Sequence, residues 1–134
     1  MVKGDYNMTP DGKYIYAVDF DGTLSNGDWP KCGPANADLV NYLIRQRLNG
    51  NKVILNTNRT GELLDEAIRF CRIKGLEFDA INENLPEMIE AYGSDSRKIS
   101  SDFYIDDNAV NVKDFDWGYL NLHKQNLIKG GKIE

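Results

Sequence analysis

The stretch Tyr14-Ile15-Tyr16-Ala17-Val18-Asp19-Phe20-Asp21-Gly22-Thr23 decides the fold. Its first five residues are apolar or aromatic without clean alternation, as in a central strand covered on both faces. The run stops abruptly at Asp19, so a polar loop begins at the strand's carboxyl end. Asp21-Gly22 supplies the turn chemistry that such a loop requires.

Working outward, loop residues Asn26, Gly27, Asp28, Pro30 and Gly33 follow. Pro34 then stands where the first turn of a helix tolerates proline. Val40, Leu43, Ile44 and Leu48 form one helical stripe, closed by Asn49-Gly50. The pattern repeats: a second strand over 52–55, a polar loop over 56–60, and a helix over 61–74 with Leu64, Ala67, Ile68 and Cys71 as its buried stripe. A third strand is predicted over 78–81, then a short helix opened by Pro86 and closed by Gly93, then a fourth strand over 102–105 ending at Asp106-Asp107. Strands alternating with helices at these distances predict an α/β, Rossmann-like, three-layer fold: a mainly parallel sheet with helices on both faces and no substantial cap domain. The 134 residues fit a single domain over 1–134, with residues 1–12 as a loosely held terminus. The apolar tail residues Phe115, Trp117, Tyr119, Leu120, Leu127 and Ile128 read as a final packing segment.

A formal net charge of −5 provides no broad basic face for a nucleic-acid backbone or an anionic membrane. An anionic substrate would need a metal, a helix N-terminus or a few basic side chains instead. Cys32 and Cys71 are too few for a disulfide framework and read as reduced thiols. No signal-peptide-like or membrane-spanning apolar run is present, which makes the cytoplasm the expected compartment. His123, the sole histidine, reads as a surface residue.

In a parallel sheet the ligand site lies outside the carboxyl ends of the strands. Asp19, Asp21, Thr57, Asn58, Arg59, Asn82, Asn84, Asp106 and Asp107 all follow predicted strand ends and can converge on one edge. Carboxylates gathered at one mouth repel unless a cation sits among them, and hard oxygen ligands favour Mg2+. A carboxylate can attack phosphorus to form an aspartyl-phosphate, and a second carboxyl group can move protons for it. Asp-Gly alone could be a plain turn; the matching strand-end positions of Thr57 and Asp106 argue for a site.

These residues resemble the haloacid dehalogenase superfamily, whose first motif is Asp-x-Asp-Gly-Thr after a strand, here Asp19-Phe20-Asp21-Gly22-Thr23. The second motif, an apolar strand ending in Ser or Thr, matches Val53-Ile54-Leu55-Asn56-Thr57, and the fourth, paired acids after a strand, matches Phe103-Tyr104-Ile105-Asp106-Asp107. The resemblance implies a small uncapped phosphatase that hydrolyses a phosphomonoester in a magnesium-dependent reaction. It makes Asp19 the nucleophile and a metal ligand, and Asp21 the general acid and base with its backbone carbonyl as a second ligand. Thr57 would bind phosphoryl oxygens, with Asn58 beside it, Asp106 would ligate the metal directly or through water, and Asp107 would orient metal-bound water or a basic partner, or bind the metal through water. The second Asp, Asp21, favours phosphate chemistry over dehalogenation.

The superfamily's third motif, a Lys or Arg that steadies the phosphoryl group, has Arg97 and Lys98 as its nearest upstream candidates. An extended strand rises about 3.3 Å per residue, which would leave Lys98 roughly 25 Å from the mouth unless residues 95–101 fold back. Asn82, Asn84 or Arg59 would otherwise supply donors. Arg59 reads either as a bidentate phosphate clamp or as a surface ion pair with Glu62 or Asp65. The 25–30 loop reads as a small flap, hinged at Gly27 with Trp29 as its lid surface. The expected partner is a small phosphorylated substrate or a phosphorylated macromolecule, with nucleic acid disfavoured, no membrane, and a second copy of the chain able to close the open site. Two other classes compete: a phospho-aspartate signalling or binding module, whose motif order differs from the one here, and a catalytically weak scaffold of the same fold.

Overall fold

The structure, a computed structural model, describes residue 9 and residues 11–108. The tail residues named above and His123 lie outside the described residues. In chain order the elements are β1 (Ile15–Val18), α1 (Ala37–Leu48), β2 (Lys52–Leu55), α2 (Gly61–Ile73), β3 (Ala80–Ile81), α3 (Pro86–Tyr92) and β4 (Phe103–Ile105). All pairings are parallel and the strand order is β3-β2-β1-β4, so β1 is central, as its doubly apolar run requires.

Alternation along β1 and β2 sorts side chains into two layers. Tyr16, Val18, Val53 and Leu55 point to one face and pack with Val40 and Leu43 of α1 and Ala67 and Cys71 of α2. Ile15, Ala17 and Ile54 point to the other and pack with Met88 of α3, Leu85 and Ile99. Helices therefore cover both faces, giving the expected three-layer α/β architecture. Between β1 and α1 the chain has room for a loop only, and no cap domain interrupts the described residues.

Local details depart from expectation where a side chain overrides the pattern. Pro34 precedes α1 rather than opening it; Asn36 caps the helix, its side-chain oxygen accepting the Leu39 N–H at 3.4 Å. Leu48, expected in the buried stripe, is 81% exposed. Twelve helical residues span about 18 Å, whereas a four-residue strand spans about 13 Å, so the last turn of α1 overruns the sheet. The third strand is cut to two residues because the Asp79 carboxylate takes the Val53 N–H at 2.7 Å and the Arg47 fork. Gly93 closes α3 in the left-handed conformation, at φ 80°. In the stretch read as a loose terminus, Thr9 is buried and its hydroxyl exchanges hydrogen bonds with the Lys13 backbone.

The sheet order locates the candidate site. The chain proceeds from β1 outward through β2 to β3, then returns to place β4 on the other side of β1. This reversal is a topological switch point, where the loops leaving neighbouring strands diverge and open a crevice at the carboxyl ends. Asp19 follows β1 and Asp106 follows β4, on the two sides of that crevice.

Candidate active site

The loop after β1 is a closed turn. The Asp19 N–H donates to the Ile105 carbonyl at 2.9 Å, which ties the start of the loop to the end of β4. Leu24 and Ser25 donate to the Phe20 carbonyl, and Gly22 donates to the Ser25 carbonyl. None of these bonds uses the Asp21 carbonyl. Gly22 has φ +79°, and a Cβ there would collide with the Asp107 carboxylate. Two constraints thus coincide at one glycine: the left-handed backbone and the approach of an acid from β4. Gly22→Ala is expected to cost about 1 to 2 kcal/mol of stability. A thermal melt indistinguishable from wild type would show that Asp107 does not pack there.

Carboxylate oxygens of Asp19, Asp106 and Asp107 all lie within 4.8 Å of one another. Asp19 is half-buried while the other two are exposed. Burial pushes the Asp19 carboxyl up to about 6; the Phe20 backbone N–H opposes this, and the charges of Asp106, Asp107 and Asp21 add to it. An all-oxygen donor set of this kind suits a hard divalent cation, and a cation would relieve the repulsion that the three acids impose on one another. The donor set therefore fits magnesium.

The raised value has a thermodynamic consequence. Folded Asp19 binds its proton more tightly than unfolded Asp19, so its ionised form is a penalty on the fold above about pH 6, relieved as pH falls toward the unfolded value of 3.8. In metal-free buffer, Asp19 should therefore contribute increasing stability as pH drops from 7 to 5, on the order of 1 to 2 kcal/mol after solvent screening. Paired melts of wild type and Asp19→Asn isolate this contribution. A wild-type dependence identical to that of Asp19→Asn would contradict it.

Asp21 stands apart from this cluster. Both of its oxygens accept from Arg59, Oδ2 from Nε at 2.8 Å and Oδ1 from Nη2 at 2.7 Å. Arg59 is 1% exposed, donates also to the carbonyls of Pro30 (2.9 Å) and Leu63 (3.1 Å), and its Cζ lies over the rings of Phe20 (4.8 Å) and Trp29 (4.9 Å). This corrects both sequence expectations for Arg59. It is neither a phosphate clamp nor a surface partner of Glu62 or Asp65, because its fork is already filled by Asp21 and two carbonyls.

Thr57 and Asn58 follow β2 at the same edge. The Thr57 Oγ1 accepts the Arg59 N–H at 3.1 Å, which leaves its own O–H as a donor. The Thr57 N–H donates to Asn82 Oδ1 at 2.8 Å, and Asn82 itself has φ 54°. Asn82 is thus a strut for the loop carrying Thr57, in a backbone conformation that Asn tolerates. Asn58 is exposed.

Residues 95–100 pack around Asn84. The Asn84 amide donates to Asp95 Oδ1 and to the carbonyls of Ser96 and Lys98, and its oxygen takes the Ser100 N–H at 2.6 Å. Asn84 is therefore 3% exposed and structural, not a free donor at the mouth. The Lys98 ammonium lies 5.8 Å from the Tyr104 ring centroid, and the Tyr104 hydroxyl itself donates to the Ile99 carbonyl. Among the described residues, no Lys or Arg forms an ion pair with Asp19, Asp106 or Asp107.

The 25–33 loop is cross-braced rather than hinged. Ser25 Oγ accepts the Gly33 N–H at 2.8 Å, and the Lys31 N–H donates to the Asp28 carbonyl at 2.8 Å. A Cβ on Gly27 would strike the Gly33 and Lys31 carbonyls. Gly27 is thus required by close packing, which replaces the expected hinge. Trp29 is 61% exposed, with one face on Arg59. Cys32 and Cys71 are free thiols, Cys71 pushed up to about 12 by burial. No helix among the described residues is long and apolar enough to cross a membrane.

No family model and no curated protein matches the chain. A solved structure does: that of the conserved protein coded by a locus of Bacteroides thetaiotaomicron, 40% identical, with a TM-score of 0.64 over 90% of this chain and 93% of that one. Identity at this level over nearly the whole of both chains carries the α/β fold with it. The chain belongs to the family of that conserved Bacteroides protein.

Proposed function

We propose that the chain is a magnesium-dependent phosphatase of the haloacid dehalogenase type, acting on a phosphomonoester through an aspartyl-phosphate on Asp19. One observation carries the reading: a half-buried carboxylate at the end of the central strand, with two further carboxylates within 4.8 Å, at the switch point of a parallel sheet. Magnesium would be held by Asp19, Asp106, Asp107 and the Asp21 carbonyl, and would neutralise charge on the phosphoryl oxygens.

The chain's own residues do the rest. A carboxylate oxygen of Asp19 bonds to phosphorus as the bond to the leaving oxygen breaks, and a proton from Asp21 goes to that oxygen. Asp21 then takes a proton from water, which attacks phosphorus and releases inorganic phosphate, restoring Asp19. Arg59 uses one lone pair on each Asp21 oxygen, so a further lone pair on each can take part in this proton transfer. The Thr57 hydroxyl donates to a phosphoryl oxygen, and Asn58 offers its amide at the same edge.

Phosphate release from an aryl phosphate tests the proposal. Activity is expected with magnesium, to be lost on chelation and to return on readdition; release unaffected by chelation would contradict it. A catalytically weak scaffold has one observation in its favour, the lack of a described cation paired with the acid cluster. Binding of magnesium or a phosphate analogue without hydrolysis across a broad phosphomonoester panel would favour that reading.

A further inference from the structure

We propose that Arg59 is a positioning residue that assigns Asp21 to proton transfer and keeps it out of the cation-binding cluster. This rests on the phosphatase reading above. Four carboxylates face one mouth, and three of them draw together within 4.8 Å while Asp21 does not join them. Its exclusion has a visible cause, since both of its oxygens are held by the Arg59 fork at 2.7 and 2.8 Å.

The fork is itself immobilised. Carbonyls of Pro30 and Leu63 accept from its edge, and its Cζ lies over the rings of Phe20 and Trp29, 4.8 and 4.9 Å from their centroids. A planar guanidinium held on edge and face transmits that orientation to a carboxylate bound bidentately. Stability alone does not explain the arrangement, because a well-packed apolar side chain usually stabilises a buried slot as well as an ion pair does. What an apolar residue could not do is hold the Asp21 carboxylate by both oxygens and so keep it from turning toward a bound cation as another ligand. The 25–33 loop is part of the clamp, since it supplies both Trp29 and the Pro30 carbonyl.

The test is a double-mutant cycle on kcat, using Arg59→Met, Asp21→Asn and the pair, with p-nitrophenyl phosphate and the slower-leaving phenyl phosphate as substrates. Arg59→Met is expected to lower kcat by about a hundredfold, with a larger loss on phenyl phosphate and KM within about threefold. In the Asp21→Asn background the same substitution should cost no more than about twofold, because its effect runs through Asp21. Undiminished kcat in Arg59→Met, or an equal loss in both backgrounds, would overturn the proposal. Should Arg59→Met fail to fold, Arg59→Lys takes its place in the cycle, and Trp29→Ala, which keeps the ion pair but removes one wall, is expected to lose about tenfold in kcat.

A second readout needs no turnover. The Arg59 Nε–H resonance in a 15N-labelled sample should move strongly in Asp21→Asn and little in Asp106→Asn; a resonance indifferent to Asp21 would show that the clamp is absent. An inactive wild type with the resonance shift intact would sink the phosphatase reading while leaving the clamp in place.

Discussion

Asp19→Asn is expected to lower kcat on an aryl phosphate by about four orders of magnitude or more, leaving only what positioning without a nucleophile can supply. The substitution is nearly isosteric: it keeps the backbone bond from the Asp19 N–H to the Ile105 carbonyl, and an amide oxygen can still accept the Thr23 hydroxyl that donates to Asp19 Oδ2 at 3.5 Å. The fold should therefore survive. It should even gain stability in metal-free buffer at neutral pH, since the amide carries no charge to be repelled by Asp106 and Asp107 or penalised by burial. Lost activity with raised stability is a signature that unfolding cannot mimic. Circular dichroism melts beside the kinetics distinguish the two, and residual activity within about tenfold of wild type would remove Asp19 from the chemistry.

Asp21→Asn is the second large effect, expected at about 10² to 10⁴ in kcat because in the proposed mechanism both half-reactions use its proton. The two halves should respond unequally. With a good aryl leaving group the first half needs little acid help, so the second half becomes limiting and the phosphorylated protein should accumulate in a burst of about one equivalent of released phenol. The cost in stability differs in sign from that of Asp19→Asn. Removing the Asp21 charge strands the buried Arg59 guanidinium with half its carboxylate partner, a loss on the order of 1 to 3 kcal/mol. A steady-state rate unchanged on both good and poor leaving groups would contradict the assignment of Asp21.

The two aspartates of one short motif are thus held by different physics, and only part of that was legible in the sequence. The boundary between Val18 and Asp19 was, because an apolar run ending in an acid can be read locally, as could the Pro86 and Gly93 ends of α3. The two-sided burial of β1 followed from the same run. Arg59 was misread because its burial comes from groups far apart in sequence, Asp21, Trp29, Pro30 and Leu63, none of which is a periodic neighbour. Gly27 was misread for a related reason: a glycine in a loop permits motion or close packing alike, and only the positions of the Gly33 and Lys31 carbonyls decide. Leu48 fits the helical stripe of α1, but the sheet beneath it is too short to cover it. The packing of 95–100 depends on Asn84, whose four-way bonding has no signature beyond an Asn near a strand end.

The magnesium expectation and the acid cluster support one another through charge. Burial raises Asp19 and the neighbouring carboxylates add to it, and the three-oxygen geometry suits a hard cation. The most direct test of the central claim is to trap the covalent species. Protein turning over an aryl phosphate with magnesium, quenched in acid and digested, should yield the peptide containing Asp19 with the added mass of one phosphoryl group, labile to hydroxylamine and absent from Asp19→Asn. Turnover of wild type with no phosphorylated peptide, or with the phosphoryl group on another residue, would contradict the account.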